Sequence, residues 1–344
     1  MLFVSATLTG GKVQTARMPT HVTAPSTKYV RLRCPECTAS LAAMADHALG
    51  QAHGPIRCSA CCAAFVQDKG IWLALRQDRR RYFQRFIEDY EMVRRAEGRG
   101  SENPAFYLSL PYRDRTNRNS WQWAIRARTY RYIERKILPT ISGKPLSILD
   151  LGAGNGWLSY RLASLGHRPI AIDLQTNVFD GLGAAVHYHG VLPTVFPRFQ
   201  AEIDRLPFET GQFDCAIFNA SFHYSENYDL TLAEAIRCLC PGGTVVIADS
   251  PCYQRENSGQ QMVEERRSLF QRRFGLSSDS LACREYITKQ RLLALETTHH
   301  LKWATHDVWY GLRWACRPLV AKLKRRREPS QFRIYAARVK KAKA

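Results

Sequence analysis

The stretch Ser147-Ile-Leu-Asp-Leu-Gly-Ala-Gly-Asn-Gly-Trp-Leu158 constrains the fold more than any other part of the chain. Ile148, Leu149 and Leu151 form a short apolar run with strand character. Gly152, Gly154 and Gly156 follow at a spacing of two, and Leu158, Leu162 and Leu165 then recur at i, i+4 and i+7. Gly166 stands where that helix would stop. Strand, glycine turn and helix form the opening unit of an α/β sheet. With no Cβ in the way, such a turn bends sharply and lets a ligand approach its backbone. The helix N-terminus offers unpaired N–H groups to a negative group. A dinucleotide turn needs G-x-G-x-x-G. Here the third glycine comes one residue early, Trp157 stands in its place, and Asp150 at the strand–loop junction is ill suited to a pyrophosphate.

Further apolar runs alternate with helical stripes. Pro169-Ile-Ala-Ile-Asp173, Phe213-Asp-Cys-Ala-Ile-Phe-Asn219 and Thr244-Val-Val-Ile-Ala-Asp249 read as buried strands. Leu232, Ile236 and Leu239 make a helix stopped at Pro241-Gly-Gly243. Late strands are expected at His300–Trp303 and Gln331–Ala337. The pattern predicts an α/β, doubly wound, mostly parallel sheet that binds its ligand at the carboxyl edge. Asp173 sits about 20 residues past the glycines, where a carboxylate can accept from ribose hydroxyls. The plainer alternative is a turn or N-cap residue. The long connection from Asp173 to Pro197 holds His187 and His189, either of which could act as a base, although surface histidines usually do not.

Cys34-Pro-Glu-Cys37 and Cys58-Ser-Ala-Cys61 are two C-x2-C knuckles separated by twenty residues, the spacing of a zinc ribbon. Two knuckles complete a tetrahedron and leave no open position, so Zn2+ here would be structural and would supply folding energy. Reduced, buried cysteines are the bland alternative. Cys62 is a spare thiol, and His47 and His53 are possible substitute ligands. With 11 cysteines, an odd count at uneven spacing, a disulfide framework is not expected.

The D-x-G-x-G-x-G pattern from Asp150 resembles motif I of the class I S-adenosylmethionine-dependent methyltransferases. Leu206-Pro-Phe208, Gly211 and Phe213-Asp214 with its apolar strand are similar to the methyltransferase type 11 group. The resemblance implies a seven-stranded Rossmann-like sheet, S-adenosylmethionine as cofactor and methyl transfer as the reaction. It places cofactor contacts at Asp150, Gly152, Gly154, Gly156 and Asp173. Glu202 would reach the adenine amino group in place of the usual Asp, with the backbone of Ile203 beside the ring. Asn219, in Asn219-Ala-Ser-Phe-His-Tyr224, would face the methyl group and the substrate. His223 and Tyr253, both at strand ends, are the candidate catalytic bases. Residues 29–75, with the turn Asp68-Lys-Gly-Ile71, resemble the Trm112-like zinc ribbons. Some bacterial methyltransferases, including enzymes acting on ribosomal RNA, carry such a ribbon at the N-terminus.

The chain therefore divides into a disordered tail (1–28), the ribbon (29–75), a helical cap or linker (76–140) and the methyltransferase domain (141–340). A lid-like helical insertion is expected at about 254–296. In the cap, arginines interleave with aromatics from Arg79 to Ile87, and Trp121, Ile125, Ile133 and Ile137 recur at helical spacing. A helix laid over the cofactor pocket is favoured over a nucleic-acid surface. Fifty Lys and Arg against 30 Asp and Glu give a net charge of +20, which suits anionic partners such as nucleic acid or acidic lipid. No long apolar run is present and the first residues make a poor signal peptide, so a cytoplasmic protein with no membrane span is expected. The acceptor expected first is a small molecule or lipid-linked metabolite. An rRNA or tRNA acceptor is the second possibility. The third is a non-catalytic cofactor-binding module that recruits a protein through its ribbon.

Overall fold

The computed structural model describes residues 28–51, 53–275 and 280–340. The tail expected over 1–28 lies outside them, apart from Lys28. The chain opens with β1 (Tyr29–Arg33), β2 (Ser40–Ala45), α1 (Asp46–Leu49), β3 (Ile56–Arg57), β4 (Ala64–Asp68) and β5 (Ile71–Leu73). Three helices follow: α2 (Gln77–Ala96), α3 (Pro104–Ser109) and α4 (Ser120–Tyr132). The alternating part comprises β6 (Ser147–Leu151), α5 (Trp157–Ser164), β7 (Arg168–Asp173), β8 (Arg198–Gln200), β9 (Phe213–Asn219), α6 (Tyr228–Cys238) and β10 (Leu239–Ala248). Then come β11 (Cys252–Tyr253), α7 (Glu256–Phe274), β12 (Ile287–Thr288), α8 (Lys289–Thr298) and β13 (Ala304–Asp307). The last elements are α9 (Leu312–Ala315), α10 (Arg317–Leu323) and β14 (Arg333–Arg338).

The main sheet runs β13-β14-β10-β9-β6-β7-β8-β5-β4-β3. Its seven strands from β13 to β8 are the doubly wound sheet expected from the sequence: β10, β9, β6, β7 and β8 are parallel, and β14 inserts antiparallel between β13 and β10. The extension to ten strands was not expected. Ile71, Trp72 and Leu73 of β5 pair parallel with Arg198, Phe199 and Gln200 of β8, and β4 and β3 follow antiparallel. The ribbon thus covers an edge that would otherwise expose unpaired backbone groups. Trp72, Phe65 and Phe199 form a triangle of rings, with Trp72 4.9 and 6.3 Å from the other two centroids, so ribbon and sheet share one core.

The apolar strands are continuous because helices or loops cover both faces. Along β9, Ala216 and Phe218 join the core on one face, and Cys215 and Ile217 join the core on the other. On the second face, α4 packs Trp123, Tyr130 and then Ile133 and Ile137, continuing past Tyr132 through a π-helical turn, Ile133–Ile137. The late strand sits four residues beyond its expected place. Leu301 N donates to Glu296 O and the Trp303 indole donates to Leu292 O, so residues 300–303 close α8 before the chain extends.

Candidate active site

The glycine turn leaves β6 at the carboxyl edge of the sheet. Gly152 has φ +78, and its N–H and that of Ala153 donate to Ile172 O at 2.8 and 2.9 Å. A Cβ on Gly152 would lie 2.2 Å from Ser221 Cβ, so only glycine fits. Gly154 N donates to Asp173 Oδ2 at 2.7 Å, and Gln175 N donates to Asp173 Oδ1 at 2.8 Å. The acid at the tip of β7 therefore fixes the turn while facing the cavity beside it. Asp150 lines the cavity as well and also ties the start of α5 to β6. Its Oδ2 accepts from Ser159 N at 3.1 Å and Ser159 Oγ at 2.8 Å. Burial pushes its carboxyl up to about 7. Gly156 supplies the left-handed residue, φ +74, that opens α5; it packs on Phe196 and is not in the cavity wall.

A chain of polar contacts carries this order outward. Asn155 accepts from Trp157 N at 3.2 Å and donates to Asp180 Oδ1 at 3.0 Å, and Asp180 is paired with Arg94 of α2. The Asp180 carboxylate holds the guanidinium of Arg94 well above its ordinary range, against the opposing effect of burial.

These groups line one side of a cavity of about 710 Å³, within the range of small-ligand sites. Glu202, Ile203 and Asn219 are also in its wall. Glu202 is already engaged, because Arg79 Nε donates to its Oε2 at 2.8 Å while Arg79 Nη2 donates to Glu226 at 3.0 Å. Asp204, two residues on, lines the cavity as well, and burial raises its pKa.

The other side is built by α2, α4, α7 and the α9–α10 segment. Here buried polar atoms lack partners among the described residues: Arg99 Nη1, Trp123 Nε1, Asp249 Oδ2 and Arg317 Nε, with Asn219 Oδ1 at the tip of β9. Each is a buried polar group whose unmet hydrogen-bonding capacity costs free energy. Arg126 of α4 has no hydrogen-bond or ion-pair partner among the described residues and lies 4.9 Å over the Trp123 ring. Burial, with repulsion from Arg99 and Arg94, lowers its pKa to about 10. Asp249 Oδ1 accepts from Thr129 Oγ1 at 2.6 Å, and burial raises its pKa. Arg317 of α10 stacks on Trp314, has no carboxylate partner among the described residues, and is lowered by burial to about 10. Asp249 was legible as the acid ending a buried strand. Arg126, Arg317 and Asp204 were not singled out by the sequence reading.

The structure separates the two candidate bases. His223 lines the cavity, with its Nδ1 3.2 Å from Ser250 Oγ. Burial, reinforced by Arg266 and Arg126, lowers its pKa to about 3, so at neutral pH it is uncharged and weakly basic. Tyr253 is outside the cavity wall: Arg327 Nη1 donates to its hydroxyl at 3.1 Å, it packs on Tyr286, and burial raises its pKa. His187 stacks on Tyr107 at 4.3 Å, and neither it nor His189 lines the cavity.

At the ribbon, the thiols of Cys34, Cys37, Cys58 and Cys61 lie within 4.8 Å of one another. The Cys34–Cys61 and Cys37–Cys58 sulfur separations are 3.7 and 3.5 Å. The two knuckles have the same backbone: Thr38 (φ 66) and Cys62 (φ 62) each donate their N–H to the first cysteine's carbonyl. Cys62 is thus the counterpart of Thr38 and not a spare ligand, and His47 and His53 are outside the cluster.

The family model for a methyltransferase domain matches residues 149–247. This stretch is similar to that family. It contains the glycine turn, Asp173, Glu202 and Asn219. Among curated relatives, the chain is 30% identical over 115 residues to a malonyl-[acyl-carrier protein] O-methyltransferase of Erwinia pyrifoliae, covering 33% of this chain and 41% of that protein. It is 28% identical over 106 residues to the enzyme of the same name from Buchnera aphidicola, covering 30% of this chain and 39% of that one. The chain thus spans about two-fifths of the length of these relatives. Among solved structures, geranyl diphosphate C-methyltransferase from Streptomyces coelicolor aligns at 14% identity and TM-score 0.47, over 64% of this chain and 84% of that one.

Proposed function

We propose that this protein transfers a methyl group from S-adenosylmethionine to a small-molecule acceptor. The observation that carries this is a single cavity that joins the glycine turn of the methyltransferase domain to a wall of arginines and aromatic rings. The residues fit the cofactor: Gly154, in the cavity wall, leaves open space where a Cβ would stand, with only Asp180 O within 4 Å, and Asn219 Oδ1 lacks a partner among the described residues. Asp173 would hold the ribose hydroxyls, and Glu202 or Asp204, with the backbone of Ile203, would meet the adenine. Arg126, close to Arg94 and Arg99 and with no ion-pair contact among the described residues, suits the cofactor carboxylate. When bound, the cofactor supplies an electrophilic methyl group on sulfur. What remains for the protein is alignment of the acceptor and exclusion of water. A histidine titrating near 3 is poorly matched to proton abstraction at neutral pH, so His223 acts here by shaping the cavity floor and bonding Ser250.

In the ribbon, the sulfur separations of 3.5 and 3.7 Å suit one ion, since a tetrahedral Zn–thiolate site has sulfur edges of about 3.8 Å. We assign a structural Zn2+ to Cys34, Cys37, Cys58 and Cys61.

The test is to incubate the purified protein with methyl-labelled cofactor and a cell extract. Label should enter the small-molecule or lipid fraction, and the Arg126→Gln variant should lower the rate at least tenfold. Label in RNA or protein would replace the acceptor class, and no transfer to any fraction would contradict the proposal.

A further inference from the structure

The segment between β13 and β14 is folded with its apolar side outward. Trp314, Arg317 and Ala321, at i, i+3 and i+7, are its partly buried face, and Trp314 and Arg317 line the cavity. Leu312, Leu319 and Leu323 project the other way and are 75%, 61% and 76% exposed, with Val320 and Cys316 between them. A helix normally places such a stripe toward the core. Side by side on one short segment, these leucines form an apolar patch rather than scattered surface residues. Around them the sequence is wholly cationic: residues 311–327 contain seven Lys and Arg and no Asp or Glu. Lys322, Lys324, Arg325 and Arg326 are exposed and have no ion-pair partner among the described residues.

An outward apolar stripe bordered by long cationic side chains matches the interface of an anionic bilayer. The leucines can enter the acyl boundary while the Lys and Arg heads stay among the phosphates. Among the described residues, no helix is long and apolar enough to cross a membrane, so such a segment would lie on the surface. We propose that the α9–α10 face docks on an anionic lipid bilayer, and that Arg317, on its inward side, receives the anionic head group of an acceptor carried in that bilayer. The docking stands on this surface alone, whereas the role of Arg317 rests on the methyl-transfer reading.

The experiment is co-sedimentation of the full chain with vesicles of phosphatidylcholine alone and with about one-third phosphatidylglycerol. The protein should pellet with the anionic vesicles only and release at about 1 M salt, where charges are screened within about 3 Å. The double variant Leu319→Asp/Leu323→Asp, and separately Lys324→Glu/Arg325→Glu/Arg326→Glu, should each lower partitioning at least tenfold. Binding of S-adenosylhomocysteine, measured by calorimetry, should stay within twofold in both. Methyl label presented with bacterial lipid should enter the organic extract, and Arg317→Gln should reduce that transfer at least tenfold without changing partitioning. Equal partitioning of wild type and variants, no vesicle binding, or capture of an acidic carrier protein in place of vesicles would overturn the docking. Vesicle binding with label confined to the aqueous phase would overturn the head-group role. Failure to bind S-adenosylhomocysteine at all would remove the methyl-transfer reading while leaving the partitioning result to be judged on its own.

Discussion

The two sides of the cavity differ in how their polar groups are satisfied. On the glycine-turn side, Asp150, Asn155, Asp173 and Asp180 all have partners, through Ser159, Gly154, Gln175 and Arg94. On the side built by the helices, Arg126 and Arg317 make no ion-pair contact among the described residues, and Trp123 and Asp249 each keep an unpartnered atom. The first side is a preorganised frame whose interactions stabilise the fold. The second carries groups whose partners arrive with ligand, and it costs stability until they do.

The largest expected effect comes from disturbing the frame. Gly152→Ala forces a Cβ onto Ser221 in a backbone conformation with φ +78, so it should cost about 3 kcal/mol of stability and abolish cofactor binding. Thermal unfolding and calorimetry would check both.

A sharper contrast sets two arginines against each other. Arg94→Met leaves Asp180 buried without its partner and should destabilise by about 3–5 kcal/mol. Arg126→Met removes a cation that makes no ion-pair contact, attracted by Asp249 but set against two other arginines, so stability should stay within about 1 kcal/mol of wild type while cofactor binding weakens at least tenfold. Denaturant titration of both variants decides the matter. If the two lose stability equally, the distinction between the walls fails.

The smallest effect is a pH dependence. His223 is held near 3 when folded, against an ordinary value of 6.5, so below pH 6.5 the unfolded chain takes up a proton that the folded one refuses. Its contribution is complete above pH 6.5 and is lost as pH falls, by about 2 kcal/mol at pH 5. Asp150, raised to about 7, works in the opposite sense, since its folded form retains a proton between its ordinary value of 3.8 and 7. His223→Asn should flatten the acid side of the stability profile relative to wild type.

The same contrast explains what the sequence disclosed. The frame is local: Asp150, the three glycines and Asp173 lie within 24 residues, and strand, turn and helix impose that spacing. Even there, the bonds from Ser159 to Asp150 were not foreseen, because a carboxylate beside a glycine turn looks the same whether it meets a ligand, a helix N-terminus or both. The second wall joins residues of α4, α7 and α10 with Arg99 just past α2, and nothing in their local patterns marks which arginine faces inward. The union of ribbon and sheet escaped notice for a related reason. It depends on β5, a three-residue strand whose pairing partner, β8, lies more than a hundred residues away. The knuckles were plain from spacing, but the part played by Cys62 needed the backbone, where its left-handed φ matches that of Thr38.

The most direct test of the account is titration of S-adenosylhomocysteine into the purified, zinc-loaded chain by calorimetry. The account predicts saturable one-to-one heat with a dissociation constant of about 1–100 μM, lost in Gly152→Ala, weakened in Arg126→Met and kept in Arg317→Gln. No heat from wild type with the ligand at about 1 mM, or undiminished heat from Gly152→Ala, would contradict it.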